Sequence, residues 1–530
     1  MVFFKLKDSN EFCMKMASRT EHVKKNLIVN IAKYVAQMVT QFVLRTVLIY
    51  TMGAEYLGID GLFTNIFAFL NLAELGIGSA IVFSMYKPIA DGDTEKVKAL
   101  QDLYKKFYFF VFLIVLIAGG IVTPFVNVFI KNDVTVSINI YILFIMYLTN
   151  TLLGYLCAHK RSLLFAHQRT DLENLVRLIC IVGMTITQVI VLLIFKNFYI
   201  YFAVTILFTI IECIATYWTA NKYFPQLKGK SSTTIDNETK KSVTKNILAL
   251  SLHKVGGVFV NSSDNIIISS FIGVVVLGAY SNYLLIISAI VSIVTLLTSA
   301  FQGSVGNLIA SVDKEKVYEK YKQIRFVYSY VSAFVTICFF VLIQPFISKW
   351  TGGGEYVLEF STVIILSVCT YLRIMRQSAI LFKDCAGLFW QDRFKPIIES
   401  IVNIVASIVL VHFMGINGVF IGTLISIFSA PLWMEPRVLY KQYFKRSTSD
   451  YWRRFVIDAI IMVAVGVISY FVCSFIPHYT IWLLILKFAV CIVLVNILLV
   501  IAYLPSKEFK GVFAIIKDNL LKMFKRKNKS

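Results

Sequence analysis

Four polar residues recur at every fourth position of an apolar segment near the start of the chain: Lys33, Gln37, Gln41 and Arg45. Because four residues turn an α-helix by about 400°, these side chains share one face within about 120° of arc. An ionised side chain near the bilayer centre costs about 2.5–3.5 kcal/mol, so this face is not expected to contact lipid. It could form a cationic lining for an anionic substrate such as a pyrophosphate. The alternative is that Lys33 reaches the inner membrane surface and Arg45 the outer one.

Glu74 lies near the middle of the next apolar segment, three residues after Asn71. A carboxylate in such a place must be protonated or paired. Counting down both helices from the turn that joins them puts Glu74 within about 3 Å of the level of Lys33. A structural Lys33–Glu74 ion pair and a protonatable coupling carboxylate are the two interpretations of Glu74.

A second carboxylate, Asp264, stands in a later apolar segment between the amides of Asn261 and Asn265. A carboxylate among amides inside the membrane is typical of a proton or sodium site in a carrier. The two amides share one helical face and could contact substrate, with Asp264 at the edge of that face. The alternative is that Asp264 is hydrogen-bonded within its own half of the protein.

Arg373 and Arg376 are about one helical turn apart in a further apolar segment. Because a guanidinium binds phosphate through two hydrogen bonds, this pair could receive a lipid pyrophosphate at the inner mouth of a carrier. Alternatively, the helix ends near Tyr371 and both arginines are ordinary cytoplasmic charges.

These residues belong to a very apolar chain. Of its 530 residues, 58% are hydrophobic and only 15% are charged, with a mean hydropathy of +0.74. An average soluble domain is about 45–50% apolar and about 25% charged, which argues against a soluble enzyme. We assign the net charge of +22 to cytoplasmic loops and a basic tail that meet anionic lipids, not to nucleic-acid binding. The nine cysteines contain no Cys-x-x-Cys pair, so neither a metal site nor a disulfide framework is expected.

A spanning helix needs about 20 largely apolar residues, and the chain contains fourteen such segments. They cover residues 27–52, 58–86, 107–130, 138–157, 176–195, 198–219, 247–272, 275–302, 326–348, 356–382, 396–413, 416–436, 455–476 and 481–504.

Lysine and arginine distinguish the two sides of the membrane. Of the 52 basic residues, 43 lie in or beside the N-terminus, every second loop and the C-terminal tail, whereas the alternate loops contain only Lys131, Lys196 and Lys349. Cytoplasmic loops collect basic residues, so both termini are predicted to be inside. The outer loops are short, and no G-x-x-x-x-G-K-[ST] loop is present. Transport is therefore favoured over catalysis, and the protein is not expected to be an enzyme.

A weak internal repeat divides the chain, because Gly53-x-x-x-Leu57-Gly58 recurs 220 residues later as Gly273-x-x-x-Leu277-Gly278. It predicts an all-α polytopic membrane protein with two pseudo-symmetric six-helix lobes, a known transporter plan, plus two C-terminal helices. The predicted parts are a cytoplasmic N-terminus (1–26), an N-lobe (27–220), a cytoplasmic linker (221–246), a C-lobe (247–440), helices 13 and 14 (455–504) and a basic cytoplasmic tail (505–530).

The repeat also predicts a gate. Arg45 and Asp264 lie about 14–16 Å below the two equivalent turns on the helix rise. When a carrier closes outward, these helix halves should converge and allow an Arg45–Asp264 pair, which a pyrophosphate could then break. The alternative keeps each residue satisfied within its own lobe.

Four sets of short motifs occur in order along the chain. They are Leu72-Ala-Glu-Leu-Gly-Ile-Gly-Ser-Ala80, Asp264-Asn-Ile-Ile-Ile with Gly278-Ala-Tyr-Ser-Asn282, Ala386-Gly-Leu-Phe with Gln391-Asp-Arg393, and Gly415-Ile-Asn-Gly-Val-Phe-Ile-Gly-Thr423. Together they resemble polysaccharide repeat-unit flippases of the multidrug/oligosaccharidyl-lipid/polysaccharide exporter superfamily. The resemblance implies a 6+6 core with two extra helices that moves undecaprenyl-pyrophosphate-linked oligosaccharides outward across a bacterial inner membrane.

The resulting hypothesis is an alternating-access flippase in the bacterial cytoplasmic membrane. Three alternatives stay open: a cation-coupled multidrug exporter, a peptidoglycan-precursor flippase, and a membrane glycosyltransferase or polymerase. A drug exporter should have an acidic cavity, whereas we count six membrane-embedded basic residues against two clearly internal acids, Glu74 and Asp264, with Glu399 undecided. No cofactor is expected, and the coupling ion could be Na⁺ or H⁺. The expected partners are the lipid-linked oligosaccharide, membrane lipids, and a polysaccharide polymerase with its assembly proteins.

Overall fold

The protein was analysed as a computed structural model. It describes residues 29–30, 32–74, 77–131, 138–229, 231–233, 235, 241, 243–244, 247, 257–259, 262–388, 390–477, 479–515 and 517. Within these ranges every regular element is a helix, and the chain forms two compact units, Met1–Val274 and Val275–Ser530. The prediction of an all-α protein is confirmed.

In the residues that the structure describes, the N-terminal unit has nine α-helices. They are α1 (residues 32–51), α2 (Ala54–Leu70), α3 (Ile77–Asp91), α4 (Thr94–Val122), α5 (Ile140–Leu156), α6 (Ala158–Ala166), α7 (Thr170–Phe195), α8 (Phe198–Tyr223) and α9 (residues 262–271) among the residues described there.

The helices of the C-terminal unit begin at its boundary. They are α10 (Val274–Ser311), α11 (Lys314–Thr351), α12 (Phe360–Met375), α13 (Gln377–Cys385), α14 (Lys395–Ser429), α15 (Pro431–Val438), α16 (Ser449–Ser474), α17 (Ile481–Tyr503) and α18 (residues 507–515).

The long helices are apolar enough to span a membrane. In the part of the chain that the structure describes, nine helical stretches pass this test, and α5 with α6, bent by 43°, makes a tenth if the pair is one span. One stretch, Trp390–Phe444, contains two predicted segments and has non-helical backbone at Gly415. The multi-pass prediction is confirmed, while the count of fourteen spans stays a prediction.

The two copies of the repeated turn share a glycine with positive φ and the same backbone hydrogen bond. Gly53 and Gly273 both have positive φ, +91° and +136°, which glycine adopts without steric cost. The N–H of Gly53 donates to the carbonyl of Leu48 at 3.2 Å, and the N–H of Gly273 donates to that of Ile268 at 2.9 Å. These turns end α1 and α9 in the same way, 220 residues apart, as the repeat predicts.

The glycine-containing motif at residues 415–423, inside α14, forms a tight helical hairpin. The chain folds back at Gly415, whose φ is +55°. A Cβ on Gly418 would lie 2.2 Å from the Leu410 carbonyl oxygen, and one on Gly422 would lie 2.3 Å from the Ser407 hydroxyl oxygen. Glycine at these positions therefore allows the two backbones to touch, and predicted segments 11 and 12 form the hairpin.

Loops predicted to share a membrane side meet within each unit. In the N-terminal unit, the backbone N–H of Lys131 donates to the carbonyl of Ser269 at 3.3 Å. In the C-terminal unit, the Lys349 ammonium donates to the carbonyl of Tyr479 at 3.0 Å. All four residues lie in or beside loops that the charge pattern assigns to the outer side.

Candidate functional site

The first helix places its predicted stripe mainly against the rest of the N-terminal unit. Lys33, Gln37 and Arg45 are half-buried, and Gln41 is exposed. The ammonium of Lys33 donates to the Asn174 side-chain oxygen on α7 at 2.8 Å. The Lys33 end of the stripe is therefore hydrogen-bonded to a polar side chain of a neighbouring helix.

Of the two interpretations of Glu74, the Lys33–Glu74 ion pair does not form among the described residues, since Lys33 bonds to Asn174 and Glu74 to Tyr108. Glu74 instead accepts a hydrogen bond of 2.6 Å from the Tyr108 hydroxyl on α4. The depth count assumed one straight helix from residue 58 to 86, but α2 ends at Leu70 and a 3₁₀ turn, Asn71–Glu74, follows. This break changes both the depth and the direction of the Glu74 side chain.

Asp60, a carboxylate that the sequence did not single out, lies in α2, the helix that precedes Glu74. It is half-buried in α2 and accepts a hydrogen bond from the Tyr147 hydroxyl on α5. Arg45 of α1 lies within electrostatic range of this carboxylate and of the Tyr201 hydroxyl on α8. Arg45 on α1 and Asp60 on α2 therefore place a basic and an acidic side chain on consecutive helices, beside the first repeated turn.

Three polar side chains along this segment each meet one tyrosine, and we name the set the tyrosine–carboxylate row. Its members are Asp60 with Tyr147, Asn71 with Tyr155 and Glu74 with Tyr108. Because α2 ends between Asp60 and Asn71, regular helical spacing in the sequence does not predict this row.

Aromatic rings surround the Asp60 end of the row. Tyr147 packs edge-on against Phe63 at 5.3 Å between ring centroids and stacks on Phe202 at 3.9 Å. Phe63 and Phe144 are fully buried and contact each other at 5.4 Å. In this apolar environment a charged carboxylate depends strongly on its hydroxyl partner and nearby cation. When the Arg45 guanidinium moves away, such a carboxylate could take up a proton or bind a small cation.

The other predicted acidic site lies in α9. Asp264 and Asn265 are both buried, at 9% and 6% exposed, and Asn261 lies outside the described residues. The neighbouring Ser269 hydroxyl donates to the Phe129 carbonyl at 2.7 Å, which ties the helix to the N-terminal unit. The proposed Arg45–Asp264 gate stays a prediction.

The two predicted arginines of the C-terminal unit lie in different environments. Arg373 is exposed at the end of α12, whereas Arg376 is buried. The Arg376 guanidinium donates to both carboxylate oxygens of Glu435, at 3.0 and 2.7 Å, and lies 3.5 Å from Glu399. Lys395 completes this cluster at 2.6 Å from Glu435. The arrangement favours a structural role for Arg376 and leaves Arg373 as the exposed cation.

The count of two acids inside the predicted spans is also corrected. Besides Asp60, the structure buries Glu435 against Arg376 and buries Asp458 of α16 against Arg325 of α11 at 2.7 Å. These acids lie near the ends of their segments, where the sequence gives no indication of a partner. Because each of these acids lies near an arginine, the total charge of the predicted spans does not decide the matter. The case for a substrate path lined by basic side chains rests on α1.

Residues 23–301 match a protein family described as "Polysaccharide biosynthesis protein". The match covers more than half of the chain. The chain belongs to this family.

The fold of the chain is similar to that of solved transporters. A structure of the lipid II flippase MurJ in an inward closed conformation matches 90% of this chain and 99% of its own, with a TM-score of 0.64 and 14% identity. An inward-facing multidrug resistance MATE family transporter of the MOP superfamily matches 75% and 94%, with a TM-score of 0.58 and 14% identity. A mutant of the Vibrio cholerae MATE transporter VcmN matches 81% and 100%, with a TM-score of 0.53 and 15% identity.

Comparison with curated proteins gives no significant match. The family and the shared fold confirm the expected resemblance to flippases of the exporter superfamily. At these identities the solved structures establish the fold alone.

Proposed function

We propose that this protein is an alternating-access flippase for undecaprenyl-pyrophosphate-linked oligosaccharide repeat units of the capsule, exopolysaccharide or O-antigen type. It moves them from the inner to the outer leaflet of a bacterial cytoplasmic membrane, with both termini in the cytoplasm. The family assignment and the fold shared with a lipid II flippase support this proposal. The observation that carries it is the cationic face of α1, with Arg45 within electrostatic range of the carboxylate of Asp60.

In this proposal the α1 face binds the pyrophosphate. Arg45 is the main phosphate ligand, because its guanidinium is fixed in charge and can bind two oxygens at once. Lys33 attracts the anion, and the amides of Gln37 and Gln41 donate hydrogen bonds. Asn261, Asn265 and Arg373 contact substrate from the second lobe, which spans residues 247–440.

The coupling step is a competition for Arg45. While Arg45 faces Asp60, the cation and the Tyr147 hydroxyl both favour the charged form of the carboxylate, against the burial that disfavours it. When pyrophosphate draws the guanidinium away, Asp60 loses that cation and takes up a proton or a sodium ion. Glu74, held by Tyr108, and Asp264 are the further carboxylates through which the cycle is coupled.

The flippase and the multidrug exporter differ in the compound that accumulates when the protein is removed. Deletion followed by lipid analysis should show the pyrophosphate-linked oligosaccharide building up in the cytoplasmic leaflet. An exporter of cationic drugs would leave this lipid unchanged and lower drug resistance instead. A glycosyltransferase or polymerase would form a glycosidic bond in vitro, which we do not expect.

A further inference from the structure

A cavity of about 740 Å³ opens among α11, α12, α16 and α17, within the C-terminal unit. It lies beside the segment that joins α16 to α17, which the charge pattern assigns to the outer side. One wall is aromatic, since Tyr470 packs against Phe340 and Phe360 at ring distances of 5.4 and 5.5 Å. Polar side chains, among them Gln344 and Ser348, line the cavity as well. The cavity is therefore amphipathic.

A buried lysine lines this cavity. Lys487 lies six residues into α17, about 9 Å along the helix axis, and its side chain is only 6% exposed. In the described part of the chain its one hydrogen bond is a long one, 3.4 Å, to the carbonyl of Ile476, and no carboxylate there lies within 4 Å. An ammonium has three donors, and burial without a counter-ion is costly. The protein thus holds a positive charge beside open space without supplying the matching anion from these residues.

A second lysine stands next to the same cavity. The ammonium of Lys349 donates to the carbonyl of Tyr479, which is a lining residue. Basic residues are rare on the predicted outer side. The positive-inside rule accounts for that scarcity, but it does not account for Lys349 and Lys487. A buried lysine that lines the cavity, with a second lysine beside it on the predicted outer side, therefore points to an anionic ligand.

We propose that this cavity binds the phosphate group of an anionic lipid from the leaflet on that side. The Lys487 ammonium is the counter-ion of the phosphate, and the wall of Phe340, Phe360 and Tyr470 contacts the first part of an acyl chain. A free phosphate could use the same ammonium but would not fill the aromatic part of the cavity. Part of the site lies in α16 and α17, which are beyond the predicted repeat. Lipid binding at this site does not depend on which substrate the protein moves.

The test uses the purified full-length protein in a neutral detergent. Thermal unfolding is followed with phosphatidylglycerol, with diacylglycerol of the same acyl chains, and with inorganic phosphate. Phosphatidylglycerol alone should raise Tm. In Lys487→Met this rise should be lost, with apparent affinity at least about tenfold weaker, the size expected for a charge-assisted hydrogen bond. Lys131→Gln, at an exposed lysine of the N-terminal unit on the same predicted side, should keep the full rise.

Without lipid, Lys487→Met should be as stable as the wild type or more so, because an uncompensated buried charge is removed. A variant that is less stable yet keeps the full phosphatidylglycerol shift would make Lys487 a purely structural residue and overturn the proposal. An equal shift with diacylglycerol or with inorganic phosphate would also overturn it. Native mass spectrometry of the wild type, with phosphatidylglycerol competing against diacylglycerol, tests the same preference without any variant. No preference for phosphatidylglycerol would contradict a phosphate site.

Discussion

The Tyr147 hydroxyl donates a hydrogen bond to the Asp60 carboxylate between α5 and α2, with Arg45 of α1 within electrostatic range. This contact joins three helices of the N-terminal unit at one ionisable group. It makes Asp60 the carboxylate whose charge state responds most directly to whatever binds Arg45.

Replacing Asp60 by Asn should abolish transport while leaving the fold intact. The amide keeps the size of the side chain and an oxygen that accepts from Tyr147, but it can neither carry the charge nor take up a proton. We expect loss of surface polysaccharide with a free energy of unfolding within about 1 kcal/mol of the wild type. Polysaccharide staining and thermal unfolding measure the two effects. Tyr147→Phe, which keeps the carboxylate, should retain partial activity, and a fully active Asp60→Asn at normal expression would remove Asp60 from the coupling mechanism.

Arg45→Ala should also abolish surface polysaccharide, although the protein inserts normally. Arg45→Lys should recover part of it, because a point charge replaces a donor that binds two phosphate oxygens. Membrane abundance, measured by immunoblotting, separates lost function from lost protein. Full activity of Arg45→Ala at normal abundance would exclude Arg45 from the substrate path.

The Arg45–Asp264 gate predicts crosslinking that depends on the conformational state. Cysteines at positions 45 and 264 should crosslink when the carrier is trapped closed to the outside and should separate when it opens. A charge swap, Arg45→Asp with Asp264→Arg, should restore more activity than the two single changes predict together. Crosslinking that is equal in all states, or a swap that is simply additive, would contradict the gate.

Arg376 and Arg373 are a matched pair for separating stability from function. Arg376→Ala leaves Glu435 and Glu399 buried without their guanidinium, and loss of one partner in a buried ion cluster typically costs about 3–5 kcal/mol. We expect lower Tm and lower abundance for this variant, measured in detergent. Arg373→Ala, at an exposed position, should change Tm little. Equal stability of the two variants would show that the buried cluster contributes little to folding.

The helical class and the repeated turn were predictable because both depend on local sequence. Long apolar stretches must satisfy their backbone groups internally, which requires helices. The glycine of each repeat copy marks a turn with positive φ, seen at Gly53 and Gly273. The Gly415 hairpin was likewise visible as a gap between two apolar segments.

The partners of the charged side chains were not predictable in the same way. The Lys33–Glu74 pair, one of two interpretations of Glu74, came from a straight-helix count that the break after Leu70 invalidates. Asp60 was overlooked because it lies close to a turn and its partner, Tyr147, is 87 residues away in the sequence. The pairing of Asp458 with Arg325 joins helices 133 residues apart in the sequence, and no local pattern specifies such a contact.

The measurement that tests the flippase directly is the leaflet distribution of lipid-linked oligosaccharide in cells with and without the protein. Cells that lack it should accumulate the undecaprenyl-pyrophosphate-linked repeat unit in the cytoplasmic leaflet. The wild-type gene should restore the repeat unit to the outer leaflet, and Arg45→Ala at equal abundance should not. An unchanged distribution in the deletion strain, with surface polysaccharide still lost, would contradict the account and place the protein at another step of polysaccharide synthesis.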